Sequence, residues 1–133
     1  MKKIYFIMLL IMIAFQTDGF GQEKNHMDIQ KNDVAAKDTV EYSLLIIDPG
    51  FESWLVTQPP EEFYSNDYYE MKNRLYVFEW NSRYNTSNNK DLYDNYIDYN
   101  SNIEYGIDLN YKLYYYFKYF ERTNHINLLN SGR

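Results

Sequence analysis

The order of apolar and polar positions divides the chain into distinct stretches. Lys2 and Lys3 are followed by an unbroken apolar run from Ile4 to Phe15, then by Gln16-Thr17-Asp18 and the small residues Gly19 and Gly21. A positive start, a short apolar centre and small residues before a cut predict a secretory signal peptide over residues 1–21. At ~1.5 Å per residue the run reaches about 18 Å, short of the ~30 Å hydrocarbon core, so it is expected to be cleaved rather than to anchor the chain. Residues 22–39 are polar and mixed in charge, with Met27, Ile29 and Val34 as the only large apolar side chains. So few cannot repay the entropy of ordering, and the segment is expected to be a flexible tether. From Val40 the pattern turns aromatic and apolar and stays so to about Leu129, which assigns a compact domain to residues 40–133.

Within that domain, Val40-Glu41-Tyr42-Ser43 alternates and Leu44-Leu45-Ile46-Ile47 is continuously apolar, predicting a strand whose later half is buried on both faces. Asp48-Pro49-Gly50 is read as a turn that ends it, and Phe51 to Val56 as a short helical turn or a second strand. Ser65 and Asn66 can cap a helix running to about Tyr84, with Tyr68, Met71, Leu75 and Phe78 as its apolar stripe. On its surface Glu70–Arg74 and Glu79–Arg83 are expected i,i+4 ion pairs, although Tyr76, Phe78 and Trp80 also alternate as a strand would. A second helix is expected from an Asp108 cap, with Leu109, Leu113, Tyr116, Phe117 and Phe120 on one face and Asn124 as its stop. Ile126 to Leu129 is read as a short strand pairing with the first. The sum is a small single-domain α+β fold, two main helices packed on a short β-sheet.

Composition narrows the function classes. There is no cysteine, which excludes a disulfide framework, a thiolate metal site, a thiol nucleophile and a lipid anchor on an N-terminal cysteine. Thirteen Lys and Arg against nineteen Asp and Glu give a net charge of −6. Phosphate backbones repel such a chain, so nucleic acid is not an expected partner. After signal removal no apolar run is long enough to span a membrane. Asn, Ile, Tyr and Lys make up 51 of the 133 residues, a skew that an AT-rich coding sequence alone would give, so the sixteen tyrosines do not by themselves mark a functional surface.

Catalytic signatures are scarce. His26 falls in the expected tether, and His125 follows the second helix, where capping is the ordinary role. There is no glycine-rich phosphate loop, nucleophile elbow or His-Glu-x-x-His, and no cofactor is expected. Asp98-Tyr99-Asn100-Ser101-Asn102 begins like a calcium loop, but Ile103 and Leu109 stand where the turn glycine and the bidentate glutamate belong, so no metal is expected. Glu52, Glu79, Asp94, Asp98, Glu104 and Asp108 lie among aromatics and offer acid–base chemistry, yet no spacing selects a pair, and the balance is against an enzyme. Recognition is better served by Trp54 and by Glu79-Trp80-Asn81 with Arg83, where aromatic plates adjoin amide, guanidinium and carboxylate groups suited to a glycan or peptide; Asp98 completes the candidate set. Tyr114-Tyr115-Tyr116 wraps the second helix, so at least one ring is expected to point away from the core.

The strings Asp48-Pro49-Gly50-Phe51-Glu52-Ser53-Trp54-Leu55, Tyr68-Tyr69-Glu70, Glu79-Trp80-Asn81 with Arg83, Asn95-Tyr96-Ile97-Asp98-Tyr99, and Tyr105-Gly106 with Asn110 to Phe117 together resemble a family of small exported bacterial proteins of unknown function. The resemblance spans about residues 41–129 and implies export, periplasmic or extracellular, and one fold unit; it carries over no catalytic residue. Relatives often bear a lipoprotein cysteine after the leader, which this chain lacks. The reading is an accessory or binding module of the cell envelope, with a protein or glycan partner. A small carbohydrate- or peptidoglycan-acting hydrolase using a carboxylate pair is the first alternative. A structural subunit that oligomerises through a Tyr-rich face is the second.

Overall fold

The computed structural model describes residues 25–34, 39–89 and 91–130. The expected signal peptide, residues 1–21, lies outside them. The described chain is a small α+β domain: a two-stranded antiparallel sheet, β1 (His26–Val34) and β2 (Thr39–Ile47), then α1 (Pro49–Leu55), a 3₁₀ turn (Glu61–Phe63), α2 (Asn66–Thr86) and α3 (Ile107–Asn124).

Residues 26–34, inside the segment expected to be a tether, form the strand β1. Alternation is the reason: Met27 and Ile29 fall on one face, opposite Ile46 and Leu44 in the register, and pack on the core, with Met27 only 1% exposed. Two apolar residues suffice because β2 supplies the backbone ladder and the core supplies the contact surface. The sheet is covered on one side only, so Leu45, on the other face with Asp28, is exposed, and the later half of β2 is not buried on both faces.

Asp48-Pro49-Gly50 starts a helix rather than merely ending a strand. Asp48 has extended backbone and its side chain accepts from the Gly50 N–H at 2.9 Å, while Pro49 opens α1, where its missing N–H costs nothing. Phe51 and Leu55, four apart, are the buried pair.

α2 begins as expected, Ser65 accepting from the Tyr68 N–H at 3.2 Å. Its buried face, however, is Tyr69, Asn73, Tyr76, Val77 and Trp80. The expected stripe is rotated off the core: Met71, Leu75 and Phe78 are 43%, 49% and 71% exposed. Apolar residues occupy both faces, so periodicity does not choose between them; the larger rings and the polar anchor at Asn73 do. Glu70 is engaged by Asn66 and Asn110 at 3.0 and 3.5 Å.

α3 is the central element, packed against α2, β2, α1 and the 3₁₀ turn. Its cap is Gly106, at φ 86°, rather than Asp108, which sits in the first turn beside Lys112 at 3.2 Å. The expected stripe holds, since Leu109, Leu113, Tyr116, Phe117 and Phe120 are all buried. So are Tyr114 and Tyr115, against the expectation that one ring of the triplet faces outward. The outward face of α3 is left to Asp108, Lys118 and Arg122, and the three rings turn toward the elements packed on it. Two neighbouring tyrosines keep the hydroxyl on a carbonyl: Tyr111 donates to Pro59 O at 2.9 Å, and on α2 Tyr69 donates to Glu61 O at 3.0 Å. The helix ends at His125, left-handed at φ 53° with its N–H on Glu121 O.

Among the described residues from 87 to 106 there is no helix or strand, yet Tyr93 and Ile97 are buried there. Residues 126–129 are not a strand either; Leu128 is buried and its N–H donates to the Glu121 carboxylate at 2.8 Å.

Candidate functional site

A groove of about 760 Å³ opens between the start of α1, the C-terminal half of α3 and residues 91–94. Asp48 reaches it because capping α1 turns its carboxylate back over the helix start. The same oxygen that accepts from Gly50 N–H also accepts from the Tyr119 hydroxyl at 3.2 Å. Gly50 makes that approach possible, since a Cβ there would collide with the Tyr119 hydroxyl. Tyr119 is held by Phe51 and Trp54, ring centroids 5.7 and 5.4 Å away. Across the groove Asp94 lies 3.4 Å from His26 Nδ1, and Asp91 adds a third carboxylate to the lining. Trp80 and Tyr116 form the floor, 2% and 4% exposed.

Tyr116 contrasts with Trp80 beside it. Trp80 donates its indole N–H to Asn95 O at 2.9 Å, whereas no hydrogen bond reaches the Tyr116 hydroxyl from the described residues. Burial first, then the charges of Asp48 and Asp94, push its pKa well above the ordinary tyrosine value. Tyr119 is raised as well, by burial and then by Asp48. Both phenols are therefore neutral at physiological pH, set in a negative field. No Lys or Arg is among the described lining residues.

The structure scatters the residues singled out from sequence. Trp54 is half-buried on α1 among Phe51, Tyr115 and Tyr119. Trp80 alone of the set reaches the groove. Asn81 uses its whole amide on one residue, donating to Ile97 O and accepting from Ile97 N–H, each at 2.9 Å. Arg83 ties three points together: the Tyr93 hydroxyl at 2.9 Å and the carbonyls of Asn127 and Leu128 at 3.2 and 3.1 Å. Glu79 is half-buried beside Trp80 on α2. Asp98 is exposed and lines, with Asn81, a second groove of about 520 Å³ between Arg74, Phe78 and Tyr96. Trp80, Asn81 and Arg83 thus act as clamps that fix the irregular 93–97 segment and the C-terminal turn onto α2. The Asp98 loop is turn chemistry: Asn100 Oδ1 accepts from the Asn102 N–H at 2.9 Å. Among the described residues no group of three or more His, Asp or Glu is placed to hold a metal ion.

Asp48, Tyr116 and Tyr119 were missed as site residues. Their one sequence signal was the Asp-Pro-Gly string, which fits a helix cap as well as a turn; nothing local reveals that α3 brings two phenols to the same place.

A model described as a family of unknown function (DUF6146) matches residues 3–132, and the chain belongs to that family. No curated protein and no solved structure matches it. Among the described residues no helix is long and apolar enough to cross a membrane.

Proposed function

We propose that the chain is an exported, non-enzymatic binding module of the cell envelope, and that its contact site is the groove between α1, α3 and residues 91–94. The groove carries the reading: its aromatic floor and polar rim have the size and make-up of a small-ligand site. Export is supported by the pattern of Lys2, Lys3, the Ile4–Phe15 run, Gly19 and Gly21. A binder is favoured over a hydrolase because Asp48 and Asp94 are already engaged, one in the α1 cap and with Tyr119, the other with His26. A thermal-shift panel of envelope glycans, short peptides and small metabolites tests this. Ligand binding to the native state alone raises the melting point, by about 2.7 kcal/mol of linkage at a hundredfold excess over Kd. A hit that is bound but not turned over supports the module; turnover would establish the hydrolase instead.

A second reading is self-association, and a specific observation moves it to a different face. The tyrosines of α3 are buried, while Met71, Leu75 and Phe78 leave an open apolar stripe on α2. A monomer in size-exclusion chromatography at high concentration would remove that reading.

A further inference from the structure

Three features of the groove point to the charge of what enters it. Its described lining offers Asp48, Asp91 and Asp94 and no basic side chain. Four aromatic rings, Trp80, Tyr116, Tyr119 and Phe120, share the lining with Asn25, Thr123 and Asn124, and such rings favour an alkyl stem and attract a cation to their faces. The third is independent of the acids. Tyr116 is 96% buried by its 4% exposure, lines the groove, and carries a hydroxyl without a hydrogen-bond partner among the described residues. The hydroxyl is not sealed from solvent, so water or a ligand in the groove completes it.

We propose that the groove binds a primary alkylammonium group, with the second carboxylate oxygens of Asp48 and Asp94, the ones not taken by Gly50, Tyr119 and His26, as charged acceptors and the Tyr116 oxygen as a third acceptor. This rests on the reading of the chain as a binding module. The ammonium has three donors and no acceptor, the complement of two carboxylates and a neutral phenol oxygen. A bare metal ion fits less well, since no group of three or more His, Asp or Glu is placed to hold one among the described residues. The charges of Asp48 and Asp94, which add to burial in keeping Tyr116 protonated, also draw a positive group to its oxygen. Two sources carry the chemistry, a free diamine and a lysine side chain in a peptide.

The test is titration of the full chain, followed by calorimetry and amide NMR, with cadaverine, with lysine blocked at both ends, and with 1-pentanol as a neutral isostere. Both amines or cadaverine alone should bind, and pentanol should not. Binding of blocked lysine assigns a peptide source; binding of cadaverine only assigns a free amine. Tyr116→Phe should weaken amine binding about tenfold or more, the loss of one charge-assisted hydrogen bond. Its melting temperature should be equal or higher, because the deleted hydroxyl has no partner in the fold. Asp94→Asn should weaken binding further. No amine binding, equal binding of pentanol, or unchanged affinity in Tyr116→Phe would overturn the proposal. So would a lower melting temperature of Tyr116→Phe, since the hydroxyl would then serve the fold. A neutral ligand that binds where amines fail would leave the module standing and remove only its charge preference.

Discussion

Asn81→Ala separates a clamp from a recognition residue. In the fold the Asn81 amide satisfies both backbone groups of Ile97, at 2.9 Å each, and the Ile97 side chain is 1% exposed. Truncation leaves one N–H and one C=O without partners next to a buried residue. An orphaned buried polar group costs about 1–3 kcal/mol, and partial relief from water brings the pair to about 2–4 kcal/mol. For a domain of this size that lowers the melting temperature by roughly 10–25 °C, out of a stability of about 5–10 kcal/mol. Urea denaturation followed by circular dichroism measures the loss. Hydrogen exchange at Ile97 then locates it: protection of that amide should collapse before α3 is exposed. Asn81→Asp, which keeps the acceptor, should lose less than Asn81→Ala, and Ser82→Ala at the exposed neighbour should stay within about 0.5 kcal/mol of wild type. A ligand-facing Asn81 predicts the reverse, near-neutral stability with lost binding. An Asn81→Ala loss below about 0.5 kcal/mol would refute the clamp.

Leu113→Ala should cost about 2–5 kcal/mol by opening a cavity at a position that is 0% exposed, and a change below about 0.5 kcal/mol in urea unfolding would displace Leu113 from the core. Phe78→Glu, on the open face of α2, should leave monomer stability within about 0.5 kcal/mol; strong destabilisation would mean the stripe is packed. Alkali should unfold the domain. Burial above all raises the pKa of Tyr76, Tyr99, Tyr114 and Tyr116, and lifts Tyr115 to about 12. The unfolded chain ionises near ~10 and so binds fewer protons than the fold above that pH. Stability is therefore held below pH ~10 and falls as pH rises toward the folded values. Tyrosinate absorbance should climb late and together with loss of helical signal; all tyrosines ionising near ~10 with the helices intact would contradict it.

What the sequence revealed depended on how far each residue's role was local. Caps and central stripes are local. Ser65 announces α2, and the 109–113–116–117–120 spacing gives the buried seam of α3, because each needs only its own turn of helix. Which face of α2 turns inward is not local. Met71, Leu75 and Phe78 make as good a stripe as Tyr69, Tyr76 and Trp80, and the choice falls to what lies opposite. Asn73 and Asn110 help make that choice. Both are 0% exposed, and Asn73 Nδ2 donates to Asn110 O at 2.8 Å, so rotating α2 outward would strand two amides. β1 fails for a related reason: a strand with two inward apolar residues is worth little alone and becomes a strand only against β2.

Non-local roles decide the candidate site too. Trp80, Asn81 and Arg83 looked like recognition because aromatic, amide and guanidinium groups are what binding surfaces use. A small domain with a long irregular segment needs those same groups to satisfy that segment's backbone. Here the carbonyls of Asn95, Ile97, Asn127 and Leu128 take them. Residue type therefore does not distinguish a clamp from a contact; the test is whether the fold already uses the polar atom. By that test Asn81 and Arg83 are occupied, whereas Tyr116, whose hydroxyl no described residue binds, lines a groove the fold leaves open.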